Sequence, residues 1–294
     1  MSREFADVED PPADVVPALP ADYHLHTALS DGEGNAADLV ARAVELELPE
    51  IGVADHVIGS SVDDGTGVVH ARLGTYVAGV RSAEPSAGKP RVLVGMEVDY
   101  TPGTLGEVST LVERHRPDYV IGSVHLVGGF AFDDPRYTHE YRRLDLEDLW
   151  SAYFDAVAEA AASGLFDVIG HVDLIKKFGL RPALTRRVVA AAERALRATA
   201  DVGAALELNT SGWRHAAGEQ YPSLALLRRA RCLDIPLTFG SDAHEPRLVG
   251  AGFAPAVAVA RAAGYRSWLR LSDRREIELS DATLPVADGR PVPS

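Results

Sequence analysis

His24 and His26 stand one residue apart in DYHLHTALSDGEG, residues 22–34. On an extended strand, side chains two residues apart leave from one face, so both imidazoles can reach a single ion. Asp242 and His244 repeat that spacing in GSDAH, and between the two pairs come Asp55-His56, Glu97, His125 and His171, each close to the end of a short apolar run. An isolated H-x-H is common on half-exposed strands. Six separate runs that each deliver an imidazole or a carboxylate near one end need a common cause. A mixed His and carboxylate shell suits Zn, Mn or Fe, and a set without cysteine argues against a structural thiolate zinc site. The other histidines fall outside this pattern. His70 and His115 are expected in solvated positions, His139 lies in a long loop (DDPRYTHEYRR) that could cover the site, and His215, after Arg214 in NTSGWRH, could line it.

The elements that would carry these groups are seven candidate strands: YHLHT, PEIGVADH, RVLVGMEV, DYVIGSVH, DVIGH, AALELNT and PLTFGSDAH. Segments of helical period separate them, the alternation expected of a parallel α/β fold. All but the sixth close on His, Asp or Glu, and in an α/β barrel the strand C-termini and the loops after them form one rim. One architecture would thus gather groups scattered over the chain. The first helix is expected after Asn35 as cap, with Asp38 in the capping-box position and Leu39, Val40, Ala43 and Val44 on one face. A later helix is expected from Thr185 to about Asp201, with Val188, Val189, Ala192 and Leu196 inward and Gly203 as its stop. Another is expected near Pro222, in its first turn.

Composition bounds the rest. The 294 residues, 46% hydrophobic, can form one barrel-sized domain. No linker interrupts residues 21–284; residues 1–20 read as a mobile arm and 285–294 as a flexible tail. A formal charge of −14, with 43 acids against 29 bases, speaks against nucleic acid as a partner. The single cysteine, Cys232, rules out an internal disulfide framework and is expected as a small buried residue on a helix. With no apolar run near membrane-spanning length and no basic, apolar leader, the expectation is a soluble cytoplasmic protein without membrane contact.

DYHLHT with SDG, ADH, GMEVDY, GSVH, GHVD and GSDAH together resemble the polymerase and histidinol phosphatase (PHP) family of metal-dependent phosphoesterases, over residues 22 to about 250. Within it, GSVHLVGGFAFD, GHVDLIKKFG and LELNTSGWRHAAGEQYPS are most similar to the histidinol-phosphate phosphatases of histidine biosynthesis. The resemblance implies a distorted seven-stranded (β/α)7 barrel, TIM-barrel-like, with two to three divalent ions at the strand C-terminal ends. Carried over by position, one ion takes His24, His26, Glu97 and Asp242, and a second takes Glu97, His125 and His171, so that Glu97 bridges. A third takes His56, His244 and Asp31; some members have a histidine one position later, where this chain has Gly32. Asp55 is expected to orient His56, since ligating imidazoles usually donate their other N–H.

The reaction so implied is hydrolysis of L-histidinol phosphate, a small phosphomonoester, to L-histidinol and phosphate. A metal-bridging hydroxide would attack, with no covalent enzyme intermediate and with Glu97, Asp242 and His244 at the reacting centre. Arg214 is the first choice for the phosphate because a guanidinium offers a fixed fork of donors, and Lys176 and Lys177 are further choices. Histidinol's ammonium and imidazole call for an acid or an aromatic wall. Asp99, Asp173, Phe130, Phe132, Trp213 and Glu219 are near in sequence, and none is singled out. The rival readings are a phosphodiesterase or nucleotidase on the same barrel, and a metal-binding regulatory or scaffold domain.

Overall fold

The computed structural model describes residues 19–59, 67–86 and 88–279. The expected mobile arm, up to residue 18, and the expected tail lie outside the described residues. Asn35 starts the first helix, α1 (Ala36–Glu45), by accepting the backbone N–H groups of Ala37 and Asp38, while Asp38 accepts the N–H of Asn35 at 2.9 Å. This is the reciprocal box expected from the sequence. Leu39, Val40 and Ala43 face inward, but Val44 is exposed, because one step past Ala43 turns a side chain about 100° away from the buried stripe.

PEIGVADH is two strands, not one: β1 (Glu50–Val53) stops before Ala54-Asp55, and β2 (His56–Ile58) resumes beyond them. Both lie parallel to the long β3 (Arg91–Asp99), which follows α2 (Leu73–Ser82). Next come α3 (Leu105–His115) and β4 (Tyr119–Ser123). A small hairpin, β5 (Leu126–Val127) and β6 (Phe130–Ala131), turns on Gly128 and Gly129, both at positive φ. After α4 (Leu146–Ala162) the chain gives β7 (Val168–Ile169), α5 (Arg186–Val202) and β8 (Ala205–Asn209). Thr185 caps α5, and Gly203 ends it in the left-handed region as expected. Val189, expected inward, is exposed, the neighbour of the inward Val188.

The helix expected at Pro222 begins later, as α6 (Leu224–Cys232). Tyr221 exchanges both backbone hydrogen bonds with Asn209, which keeps the chain extended up to the proline. Cys232, expected to be buried, is exposed, since α6 buries Leu227 and Ala230 and residue 232 points away from that stripe. The chain finishes with β9 (Leu237–Gly240), α7 (Phe253–Ala262) and an antiparallel pair, β10 (Ser267–Arg270) with β11 (Arg275–Glu278).

The sheet runs β1-β3-β4-β7-β8-β9, every pairing parallel, with β2 also on β3. β1, β4, β8 and β9 are buried at every residue, as strands covered on both faces must be. YHLHT, expected as the first strand, is not a regular one. It makes isolated parallel bridges to two different neighbours, Asp22 with Ile51 of β1 and Leu25 with Ala243 just after β9. It therefore lies between the two ends of the sheet, which curls round to meet it. No helix among the described residues is long and apolar enough to cross a membrane.

Candidate metal centre

Strand register explains why the scattered groups meet. His56 pairs with Glu97 across β2 and β3, and Glu97 pairs with Ile121 of β4. His125, His171 and Asp242 each sit two residues beyond the ends of β4, β7 and β9. His24 and His26 come from the segment between the sheet's ends. Parallel strands then direct all these side chains toward one opening.

Glu97 is the hub. Its Oε2 lies 3.0 Å from His24 Nε2, 3.5 Å from His26 Nε2 and 3.1 Å from His56 Nδ1. Its Oε1 lies 3.0 Å from His171 Nε2 and 3.8 Å from His125 Nε2. Asp242 Oδ1 approaches His26 Nε2 at 3.4 Å and His24 Nε2 at 3.9 Å. Toward solvent, Asp31 Oδ2 is 3.1 Å from His244 Nε2 and 3.7 Å from His56 Nε2. Four groupings of these side chains are compact enough to hold an ion: His26 with Asp31, His56 and His244; His24 with His26 and Asp242; His24 with Glu97 and His171; His56 with Glu97 and His125. His26 thus also joins the third set, where the resemblance used it only in the first.

The donors suit a cation on chemical grounds. Among the described residues, His24 Nε2, both ring nitrogens of His26 and Glu97 Oε2 are buried without a hydrogen-bond partner, a costly arrangement unless a positive charge organises them. The outer nitrogens are tied down. His24 Nδ1 meets Glu207 Oε1 at 2.6 Å, and His125 Nδ1 and His56 Nδ1 meet Asp99 Oδ1 at 2.8 and 3.1 Å. A carboxylate on one ring nitrogen directs the other toward a metal. Only His, Asp and Glu contribute, a nitrogen and oxygen set fit for Zn, Mn or Fe.

The charges are balanced against heavy desolvation. Burial opposes charge on His24, yet Glu207, Glu97 and Asp242 hold its pKa well above the usual imidazole range. His26 goes the other way, to about 4, through burial and the neighbouring His244. Burial would raise Glu97, but His24 and His56 hold it well below the usual carboxylate range. His26 is thus neutral without an ion, whereas His24 would have to give up a proton to bind one.

The second line of residues departs from expectation in three places. Asp55 does not orient His56. Its carboxylate accepts from Thr27 N–H and Oγ1 and from Ser30 Oγ, bracing the loop that carries Asp31, while Asp99 takes the place beside His56. Lys176 is not at the cavity. It is buried, with its ammonium donating to Asp173 Oδ2 (2.8 Å), Glu219 Oε1 (3.0 Å) and the Gln220 carbonyl (2.8 Å), so it joins the loop after β7 to the loop after β8. Glu207 is a support that residue type and spacing do not single out. Besides His24 it accepts the His171 backbone N–H at 2.8 Å, and a Cβ on Gly240 would collide with it. The signal was present in ALELN, a carboxylate between leucines on a fully buried strand.

A cavity of about 920 Å³ opens above the hub, and Arg214, Lys177 and His215 lie on its wall. Arg214 donates from Nη2 to the carbonyls of Ser241 and Asp242, at 2.7 and 3.1 Å. It thereby grips a turn in which Asp242 has a φ of 54°, unusual for a residue other than glycine. Of the aromatic and acidic candidates, Asp99 and Phe130 line the cavity, whereas Asp173, Phe132, Trp213 and Glu219 do not. His139 is exposed and pairs with Glu140; its loop lines the cavity through Pro135, Arg136 and Tyr137, but His139 does not. His70, expected to be solvated, is half-buried with its Nε2 on the Ile58 carbonyl at 2.7 Å, and His115 is partly covered.

Comparison with known proteins supplies the context. The PHP domain model matches residues 22–211. A Deinococcus radiodurans protein named "Probable histidinol-phosphatase" is 39% identical over 250 residues, 84% of this chain and 94% of that protein. The histidinol-phosphatase of Bacillus subtilis is 30% identical over 183 residues, 55% of this chain and 67% of that protein. Among solved structures, the histidinol phosphate phosphatase of Lactococcus lactis, complexed with Zn, L-histidinol and phosphate, superposes with a TM-score of 0.73. It is 20% identical and covers 89% of this chain and 100% of its own, a likeness of fold.

Proposed function

The chain belongs to the PHP family, and from that premise we propose that it hydrolyses L-histidinol phosphate to L-histidinol and phosphate. The observation that carries the substrate is the likeness to a histidinol-phosphatase over 94% of that relative's length. The geometry of the hub supports the reaction class.

We assign His24, His26, Glu97 and Asp242 to one ion, Glu97, His125 and His171 to a second, and Asp31, His56 and His244 to a third. The two separate oxygens of Glu97, each facing different imidazoles, support its bridging assignment. Two to three divalent ions of the Zn, Mn or Fe type would supply Lewis acidity there, making water acidic and neutralising phosphoryl charge. The chain's own part is positional. Glu207 and Asp99 hold the imidazoles in one tautomer, and Asn209 and Ser211 donate to Asp242 Oδ2 at 3.2 and 3.1 Å. Such preorganisation lets fixed charges meet the phosphoryl group without rearrangement.

Arg214 and Lys177, both on the cavity wall, we assign to the phosphate; Lys176 moves from substrate contact to brace. Asp242 and His244 join Glu97 at the reacting centre. We further read residues 22–26 as the seventh stave that closes the curled sheet, within a single domain spanning residues 21–284. The bridges to β1 and to the end of β9 support that closure.

The test is phosphate release from L-histidinol phosphate beside other small phosphoesters, with metal content measured on the same sample. Release from L-histidinol phosphate above all others is expected. Faster cleavage of a bis-ester would make the protein a phosphodiesterase, and no turnover by metal-replete protein would leave a binding domain.

A further inference from the structure

L-Histidinol phosphate differs from most small phosphomonoesters in bearing an ammonium two carbons from the ester oxygen. With the phosphate over the metal centre, that cation must come to rest on the cavity wall close by. Burying it there without a partner would be costly. A negative group must therefore face the cavity and be free to accept.

Among the described residues, six carboxylates line the cavity: Asp31, Glu97, Asp99, Asp133, Asp134 and Asp242. Three belong to the metal centre by the assignment above. Asp99 is occupied by His56 and His125 through one oxygen, 3.1 and 2.8 Å from the two rings. Asp134 is closed by Arg136, which donates from Nε and Nη2 to its Oδ2 at 2.8 and 2.6 Å and from its backbone N–H to Oδ1 at 2.8 Å. Asp133 differs in that, among the described residues, neither an imidazole nor a guanidinium holds it. Among the described residues its carboxylate has one hydrogen bond, from Lys177 Nζ to Oδ2 at 3.3 Å. It follows the β5–β6 hairpin, and Phe130 of β6 and Tyr137, four residues beyond Asp133, also line the cavity. Asp133 and His125 line the same cavity.

We propose that Asp133 is the specificity-determining residue of this cavity, accepting the substrate's ammonium while Phe130 and Tyr137 flank its imidazole. The inference rests on the function proposed above. Lys177 completes the arrangement. Its ammonium shares Asp133 with the substrate cation and is thereby held between that carboxylate and the incoming phosphate. One carboxylate thus recognises the amine and aims a phosphate donor, which makes discrimination depend on Asp133 more than turnover does.

The experiment compares kcat/KM for L-histidinol phosphate and for its desamino analogue, 3-(imidazol-4-yl)propyl phosphate, in wild type, Asp133→Asn and Asp133→Glu, with Asp133→Ser replacing the asparagine variant if that one does not fold. The preference for the amine-bearing ester should fall about tenfold or more in the neutral variants, and Asp133→Glu should restore part of it. An unchanged preference, including an equal fall for both esters, overturns the assignment while leaving the proposed function standing. Wild-type protein that turns over the other phosphoesters but not L-histidinol phosphate takes down both.

Discussion

The metal centre has a buried wall and an open rim. In the wall, Glu97 and His171 are 1% and 2% exposed, and His24 and His26 are fully covered. At the rim, Asp31 and His244 are 34% and 38% exposed. The wall is braced from behind: Glu207 holds the His24 ring and the His171 backbone together, and Tyr153 donates to the His171 carbonyl at 3.2 Å. The rim rests on a loop whose main support is Asp55. Unpaired buried polar groups are expensive, so the wall is built to be filled, whereas water can satisfy the rim at small cost. The difference teaches that the ions held by these two regions should differ in affinity even though their ligands look alike in the sequence.

Removing the hub should have the largest effect. Glu97→Gln keeps the shape but takes a charge from both bridged sets, and phosphate release should fall by at least about 10³-fold with a matching loss of bound metal. Retained turnover would show that the wall does not depend on Glu97. Glu207→Gln comes next, because it lets the His24 ring turn without removing a ligand; metal affinity or activity should fall about 10- to 100-fold. Metal titration of the apo-protein reads this directly. Asp31→Asn should cost less, about tenfold in activity, with one metal fewer per chain and the wall still loaded. If elemental analysis found all metals lost together, wall and rim would be one cooperative site and the contrast would fail.

Much of this division could be read from residue types, and its omissions have physical reasons. Ligands were legible because strand ends repeat: the two H-x-H-like pairs and Glu97, His125 and His171 all meet at the hub. Capping was legible because it is local, as Asn35 and Gly203 illustrate. The supports were not, because they join residues far apart in the chain. Asp55 beside His56 suggested a partnership, but the strand breaks between them and turns the Asp55 carboxylate back to Thr27. Glu207 looked like one residue of an apolar strand, and its purpose depends on His24, 183 positions away. Lys176 looked free to meet phosphate because its three oxygen partners include two from a loop 43 and 44 residues later. YHLHT reads as a strand by pattern, yet serving two edges of a curled sheet leaves it only single bridges.

The last expected effect is read in stability and not in turnover, and it has opposite signs in the two regions. In metal-free protein, burial raises the pKa of Asp22, behind the wall, to about 6 from 3.8, despite N–H donors from Ser241 and Gly250. A carboxyl whose folded pKa is raised favours the native state when protonated, so its contribution falls as pH climbs from about 4 to about 6. That loss is about 3 kcal/mol, a melting-temperature change of about 6–12 °C for a domain of this size. Asp31 at the rim is lowered to about 2; burial opposes its charge, but His244 and His56 favour it. Its contribution is present above 3.8 and disappears as pH falls toward 2. Melting curves of chelator-treated Asp22→Asn and Asp31→Asn should therefore flatten different limbs of the pH profile, the asparagine at 22 between pH 4 and 6 and the asparagine at 31 below 4. A flattening of the same limb by both would mean that wall and rim sense the same environment, and the comparison would lose its basis.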